Sequence, residues 1–348
     1  MARIALDAMG GDFAPHAPLS GALLALREFE GDHSIQLVGQ TQIVSEALET
    51  LLAGDFSDIA ERARAAIELV EAPDVVAMSD KPAAALRGKP NSSMMVGLRR
   101  HAEGLADAFV SAGNTGAQMA ASTVILRLHD GLRRPAIGTL FPSALDPVLI
   151  LDSGANVDCS PDEYVQFARL GTVYAEDILG RKNPSIGLLS IGEEAEKGNI
   201  AVKEANKLLA ATAGINFQGN VEGRDIPAGA SDRGPIDIVV CDGFVGNVLL
   251  KFYEAAAPLI VGLVGRHAGL EREQLEQAFG HLDYSEYGGA PLLGVKGVSI
   301  ISHGKSSPRA LKNAIRVGIR AVETRMSEHI GRRLAPSTAP AAAMGESA

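Results

Sequence analysis

"IALDAMGGDFAP", residues Ile4–Pro15, is an apolar run that ends on Asp7, meets Gly10 and Gly11, gains Asp12 and closes on a proline. The segment after it, "LSGALLALREF" (Leu19–Phe29), has the helical period of apolar residues. Strand, glycine-rich loop and helix in that order form one unit of an α/β fold. The unit recurs at "AFVSAGNTGAQMAASTVILRL" (Ala108–Leu128), "VLILDSGANVDCSPDEYVQFARL" (Val148–Leu170), "IGLLSIGEEAEKGN" (Ile186–Asn199) and "IDIVVCDGFVGNVLLKF" (Ile236–Phe252). In the third copy, Ser160, Pro161 and Glu163 make a capping box with proline at the first helical position. "SIQLVGQTQIVSEALETLL" (Ser34–Leu52) is a further strand–helix pair without the glycine loop. Alternation of this kind predicts an α/β fold with a doubly wound, mostly parallel sheet of Rossmann-like type.

In such a sheet the strand-to-helix loops leave from one edge, where ligands bind. Each loop also precedes a helix N-terminus, whose free N–H groups and positive dipole end attract anions. Glycine and asparagine also make tight turns without any ligand; five such loops in the same topological position favour a shared site. The Rossmann G-x-G-x-x-G fingerprint is absent after the first strand. "SIISHGKSS" (Ser299–Ser307) misses a Walker A motif because Ser299 stands where the first glycine belongs. No G-x-S-x-G elbow is present. A site of backbone amides, Asn, Asp and scattered Lys suits a small anion better than a nucleotide.

The 348 residues carry a net charge of −10, no Trp, and 38 glycines, against the roughly 7% usual for glycine. Few aromatics and a negative charge disfavour nucleic acid as a partner. Cys159 and Cys241 are the only cysteines and lack zinc or disulfide spacing, so a reducing compartment and no metal are expected. The opening strand pattern gives no leader. The longest apolar stretch, "AAAPLIVGLV" (Ala255–Val264), is about half of what a bilayer span needs. A single catalytic domain over 1–333 is expected, with a disordered tail at 334–348 rich in Pro, Ala and Ser.

"DAMGGD", "SAGNTGA", "LDSGANVDC", "IGEEAEKGN", "NVEGRDI", "CDGFVGNVLLK" and "YGGAPLLGV" occur here in the order seen in one family. The chain resembles the bacterial acyl-acyl-carrier-protein:phosphate acyltransferases (the PlsX family) from about Arg3 to Ile319. Two positions depart from the pattern, Lys305 after "HG" and Ser153 in "LDSGANVDC". The resemblance implies transfer of a fatty acyl group from the thioester of acyl carrier protein to inorganic phosphate, with no cofactor. The acyl phosphate would feed glycerol-3-phosphate acylation in phospholipid synthesis. It further implies a fold like phosphotransacetylases and isocitrate dehydrogenases, a homodimer, and peripheral attachment to the inner face of the plasma membrane. Transfer from a short acyl-CoA, or a non-catalytic scaffold for lipid enzymes, are the competing readings.

Phosphate needs positioning and the thioester carbonyl needs an oxyanion stabiliser. Lys197 is the expected electrostatic anchor, with Asn114 and Asn156 as hydrogen-bonders and Asp7 as a loop organiser or proton acceptor. Gly10, Gly11, Asp12, Gly113, Thr115, Gly116, Gly198, Asn199, Asp242, Gly243, Asn247 and His303 are expected to surround the substrates. Lys81, Arg87, Lys89 and Ser92, in "SDKPAAALRGKPNSS" (Ser79–Ser93), form either a second phosphate-binding cluster or a solvated loop. Cys159 is an acyl carrier or a plain buried thiol. A helical element around 250–283 is expected to pack a dimer, touch an anionic membrane surface, or both. Arg309, Lys312, Arg316 and Arg320 fall within about 80° of arc on one helical face, as a docking stripe for acidic acyl carrier protein or a solvated one.

Overall fold

The computed structural model describes residues 1–268, 274 and 288–334. Its strands in chain order are β1 (Arg3–Asp7), β2 (Ser34–Gly39), β3 (Ile67–Glu71), β4 (Ala108–Ser111), β5 (Ala136–Ile137), β6 (Thr139–Phe141) and β7 (Val148–Leu151). There follow β8 (Ser185–Leu189), β9 (Asn216–Val221), β10 (Ala230–Ser231), β11 (Gly234–Pro235), β12 (Ile238–Val240), β13 (Ala290–Leu293) and β14 (Ser299–Ile301). They form a seven-stranded sheet, β3-β2-β1-β4-β14-β13-β5, a five-stranded sheet, β6-β7-β12-β8-β9, and the small β10-β11 hairpin. The α/β, mostly parallel character expected from the strand–helix alternation is what the chain forms.

The glycine-loop strands β1 and β4 pair in parallel in the first sheet, and β7, β12 and β8 pair in parallel in the second. The joint between sheets is Gly138, the one residue between β5 and β6; its N–H donates to the Pro291 carbonyl at 3.1 Å. The antiparallel pairs β13–β14, β13–β5 and β6–β7 cluster around this joint. Apolar side chains of β1, β7, β8 and the helix Pro308–Glu323, among them Ile4, Leu149, Ile186 and Ile315, belong to one continuous buried cluster.

The capping box at the start of the helix Pro161–Asp177 forms, with the Ser160 N–H donating to Glu163 Oε2 at 2.7 Å. The helix Pro308–Glu323 likewise starts where serine and proline place it, the Ser307 hydroxyl accepting from the Ala310 N–H. Two expectations need correction. The apolar segment at Ala255–Val264 belongs to a helix, Gly243–Ala268, that continues through Pro258. By length and composition alone, Gly243–His267 could cross a membrane. Lys251 and Glu254, which bound the apolar stretch in sequence, pair with each other at 2.8 Å and do not interrupt the helix. Leu334 is not tail but the last residue of the helix Met326–Leu334, packed against the main core. The remainder of the expected tail, and residues 269–273 and 275–283 of the expected helical element, lie outside the described residues.

Helix His16–Glu28 lies against helix Pro308–Glu323 at Gly21, where an added Cβ would sit 2.7 Å from Leu311 Cβ and 3.0 Å from the Pro308 carbonyl oxygen. This contact fixes the helices that follow β1 and β14, so it sets the spacing of their loops. Gly21→Ala gains up to about 1 kcal/mol of helix propensity but overpacks the contact, which costs about 1–3 kcal/mol. A Tm lower by a few degrees in thermal denaturation is expected.

Candidate active site

The loops after β1, β4 and β14 are stitched together at one sheet edge. The Asp12 N–H donates to the Gly304 carbonyl at 2.7 Å, and the Ser302 N–H to the Ser111 carbonyl at 2.8 Å. Asp7, almost fully buried at the end of β1, accepts from the Ser111 hydroxyl at 2.7 Å and the Met9 N–H at 3.1 Å. The Ser111 hydroxyl in turn accepts from the Gly113 N–H at 2.9 Å. Burial raises the Asp7 pKa, and hydrogen bonds led by those from Ser93 and Ser111 offset part of that rise. Gly10 must be glycine: an added Cβ would meet Asp7 Oδ2 at 2.6 Å and the Gly113 nitrogen at 2.9 Å. Asp7 thus ties the loops after β1 and β4 together.

The second sheet repeats the device. Asp152, just past β7 and fully buried, accepts from the N–H groups of Ile137 (2.9 Å), Ala155 (3.2 Å) and Asn156 (2.6 Å) and from Asn156 Nδ2 (2.9 Å). Burial raises its pKa too. The Asn156 carbonyl accepts from the Gly243 N–H at 2.7 Å, drawing the loop after β12 to the loop after β7. Asp242 caps the following helix by accepting from the Val245 N–H at 2.8 Å.

Between the two assemblies lies a cavity of about 250 Å³. Its lining mixes polar residues (Thr115, Thr139, Ser153, Asn247, Ser302, His303 and Ser306, with the Lys251–Glu254 ion pair) and apolar ones (Ile137, Leu140, Tyr174, Leu250, Pro291 and Ile301). The Ser302 hydroxyl is buried there without a hydrogen-bond partner. Buried polar atoms are rarely left so, which marks the cavity as open to a ligand.

Thr115, Asn247 and His303 line the cavity; Gly113 and Gly116 flank Thr115 in the same turn, and Gly243 begins the helix that carries Asn247. Gly11 lies behind, against Ala112 and the Gly304 carbonyl. Asn114 and Asn156 are occupied elsewhere. Asn114 accepts from the Ala117 N–H and donates to the carbonyls of Ala77, Met78 and Asp80, so it clamps the Ala77–Asp80 turn to a helix start. Asn156 Nδ2 is spent on Pro135 and Asp152.

Lys89 donates to Asp80 at 2.5 Å and to the Val75 carbonyl at 2.9 Å, and holds the Asp80 carboxyl below its usual range. Arg87 is exposed and bonds the Ala83 carbonyl. Lys81 is exposed beside Pro82, which touches Gly116. Ser92 is fully buried with an unpartnered hydroxyl, behind the site rather than in it. Lys197 is exposed on the loop after β8, which ends with Gly198 and the N-cap Asn199. That loop leaves the same edge of the second sheet as those after β7 and β12, but none of its residues lines the cavity. Burial pushes the Cys159 thiol up to about 12, so it stays protonated near neutral pH and is a poor nucleophile.

Sequence reading missed Ser302, Ser306 and the apolar wall of Leu140 and Tyr174. The signal for the serines was present in "SIISHGKSS", which fails as a Walker motif but still ends a parallel strand beside β4.

A sequence model of the family described as "Fatty acid synthesis protein" matches residues 2–329. The chain is 47% identical to a phosphate acyltransferase of Desulforamulus reducens, over 93% of this chain and 94% of that one. It is 45% identical to a phosphate acyltransferase of Desulfitobacterium hafniense, over 97% and 99%. The chain belongs to the phosphate acyltransferase family. As an enzyme of this class it transfers an acyl group to phosphate. Among solved structures, a phosphotransacetylase from Streptococcus pyogenes aligns with TM-score 0.61 at 16% identity, covering 92% of this chain and 94% of that one. The EutD phosphotransacetylase from Staphylococcus aureus aligns with TM-score 0.59 at 14% identity, covering 92% and 94%. At such identities the likeness is one of fold.

Asp7 supplies a pH test. A raised carboxyl pKa in the folded state means its contribution to stability is present below the unfolded value, about 3.9, and is lost as pH rises through the folded value. Asp7→Asn, which removes the desolvated charge, should therefore gain Tm relative to wild type as pH rises across that window. The check is thermal denaturation of both proteins over a pH series; a constant difference would contradict it.

Proposed function

We propose that this phosphate acyltransferase moves a long-chain fatty acyl group from the thioester of acyl carrier protein to inorganic phosphate, giving acyl phosphate for phospholipid synthesis. The observation that carries the reading is the mixed lining of the cavity: hydroxyls, an unpartnered Ser302 among them, together with large apolar side chains. A site for phosphate alone has no use for those apolar side chains.

Phosphate in its dianionic form, a substantial fraction near neutral pH, attacks the thioester carbonyl carbon through one oxygen. The C–S bond breaks and the thiolate leaves with the electron pair. A thiol pKa of about 8.5 makes it a tolerable leaving group without a strong acid. Hydroxyl and backbone N–H donors position phosphate and stabilise the oxyanion. Lys197, on the neighbouring loop, adds the positive charge.

Arg309, Arg316 and Arg320 are exposed on one helix and supply a basic docking face for acyl carrier protein, while Lys312 is held by Glu28 at 2.6 Å. Phe252, Leu259, Ile260 and Leu263 are exposed along the helix Gly243–Ala268. That apolar face supports both homodimer packing and peripheral attachment to the inner face of the plasma membrane, where product passes to a glycerol-3-phosphate acyltransferase.

Purified protein incubated with palmitoyl acyl carrier protein and phosphate should form palmitoyl phosphate. Acetyl-CoA turned over in its place would select the short-chain alternative, and no turnover of either would select the scaffold. Lys197→Ala should lower kcat with an unchanged Tm, by less than the roughly 10²–10³ lost with a donor that touches the oxyanion, because Lys197 does not line the cavity. On anionic vesicles, Leu263→Glu should leave the protein in the supernatant on co-sedimentation while sizing still gives a dimer.

A further inference from the structure

The cavity of the candidate active site is not the only hollow that reaches the joint between the sheets. An open groove of about 540 Å³ lies on the other side of Leu140 and Tyr174, and these two residues line both spaces. Ile178, Leu179, Val317 and Ile319 make the groove's inner side, and Arg316 and Arg320 stand at its mouth. Tyr174 sits in the helix Pro161–Asp177 with only 1% of its surface exposed. Among the described residues nothing hydrogen-bonds its hydroxyl. Leu140 is the middle residue of the edge strand β6 and is only partly buried. Leu140 and Tyr174 are thus shared between the two spaces: a partly buried leucine and a buried tyrosine.

Resting on the acyl-transfer reading above, we propose that Leu140 and Tyr174 are the chain-length stop of the acyl pocket. The thioester carbonyl lies near Thr115 and Ser302, and the chain runs along Ile137 and Pro291 until its methyl end meets Leu140 and Tyr174. Each methylene taken out of water favours binding by about fourfold, so affinity rises with chain length until the stop is reached. Beyond it, a longer chain must displace Leu140 from its packing, which opposes binding. Reducing Leu140 joins the cavity to the rear groove and moves the limit outward.

The test is kcat/KM for decanoyl, palmitoyl and stearoyl acyl carrier protein with wild type, Leu140→Ala and Leu140→Phe. Leu140→Ala should raise the stearoyl-to-decanoyl ratio about tenfold, and Leu140→Phe should lower it by a similar factor. The KM for phosphate should stay within about twofold of wild type in both. Circular dichroism melting establishes that each variant is folded; Leu140→Val takes the place of Leu140→Ala if that variant does not fold. A ratio unchanged in both directions, or shifted the same way by both substitutions, overturns the proposal. Absence of acyl transfer by wild type refutes the reading of the site instead. Calorimetric binding of decanoate, palmitate and stearate to the same proteins then reads the wall separately: opposite shifts in chain preference uphold it, and identical profiles overturn it.

Discussion

Two buried carboxylates, with no cation partner among the described residues, organise this protein. Asp7 and Asp152 each end a parallel strand, one in each sheet, and each is surrounded by N–H and O–H donors from the loops around it. Burying a carboxylate is unfavourable unless donors replace its water; the loops must therefore close around it, and the raised pKa values record what desolvation remains. An acidic residue near an anion site is awkward if it faces the anion. Here both face inward, consuming some loop N–H groups and fixing the direction of the rest. Repulsion between these two carboxylates and an anion is avoided by geometry, whereas Glu254, which lines the cavity, is paired with Lys251 at 2.8 Å.

The same closeness dictates glycine where backbone meets backbone. At Gly246, in the first turn of the helix after β12, an added Cβ would lie 1.9 Å from the Asp152 carbonyl oxygen. The helix that carries Asn247 into the cavity can approach the loop after β7 only because that position has no side chain. Glycine content is high in this chain partly because loops converge, and convergence is what makes the site.

Local signals were readable from sequence. Strands before glycine loops, the capping box at Ser160 and Glu163, and the serine–proline helix start at Ser307 each depend on residues within a few positions of one another. The split into two sheets was not readable, because Gly138 looks like any turn glycine until Pro291, far along the chain, supplies its partner. Side-chain occupancy was equally hidden. Asn114 and Lys89 have the right chemistry for substrate, yet carbonyls at Ala77–Asp80 and the Asp80 carboxylate take them. Residue type states what a group can bind; only the fold states what it already binds.

The helix Gly243–Ala268 connects the interior chemistry with the exterior. Its first turn is anchored to Asp152 and Asn156, and its second places Asn247 and Leu250 in the cavity. Its far half exposes Leu259, Ile260 and Leu263. At 1.5 Å per residue these positions lie about 20 Å from Asn247, joined by continuous helix. Apolar side chains grouped on one exposed element are a contact surface in search of cover. A partner covering them would hold the same helix that lines the cavity, which would link that surface to the cavity through one element.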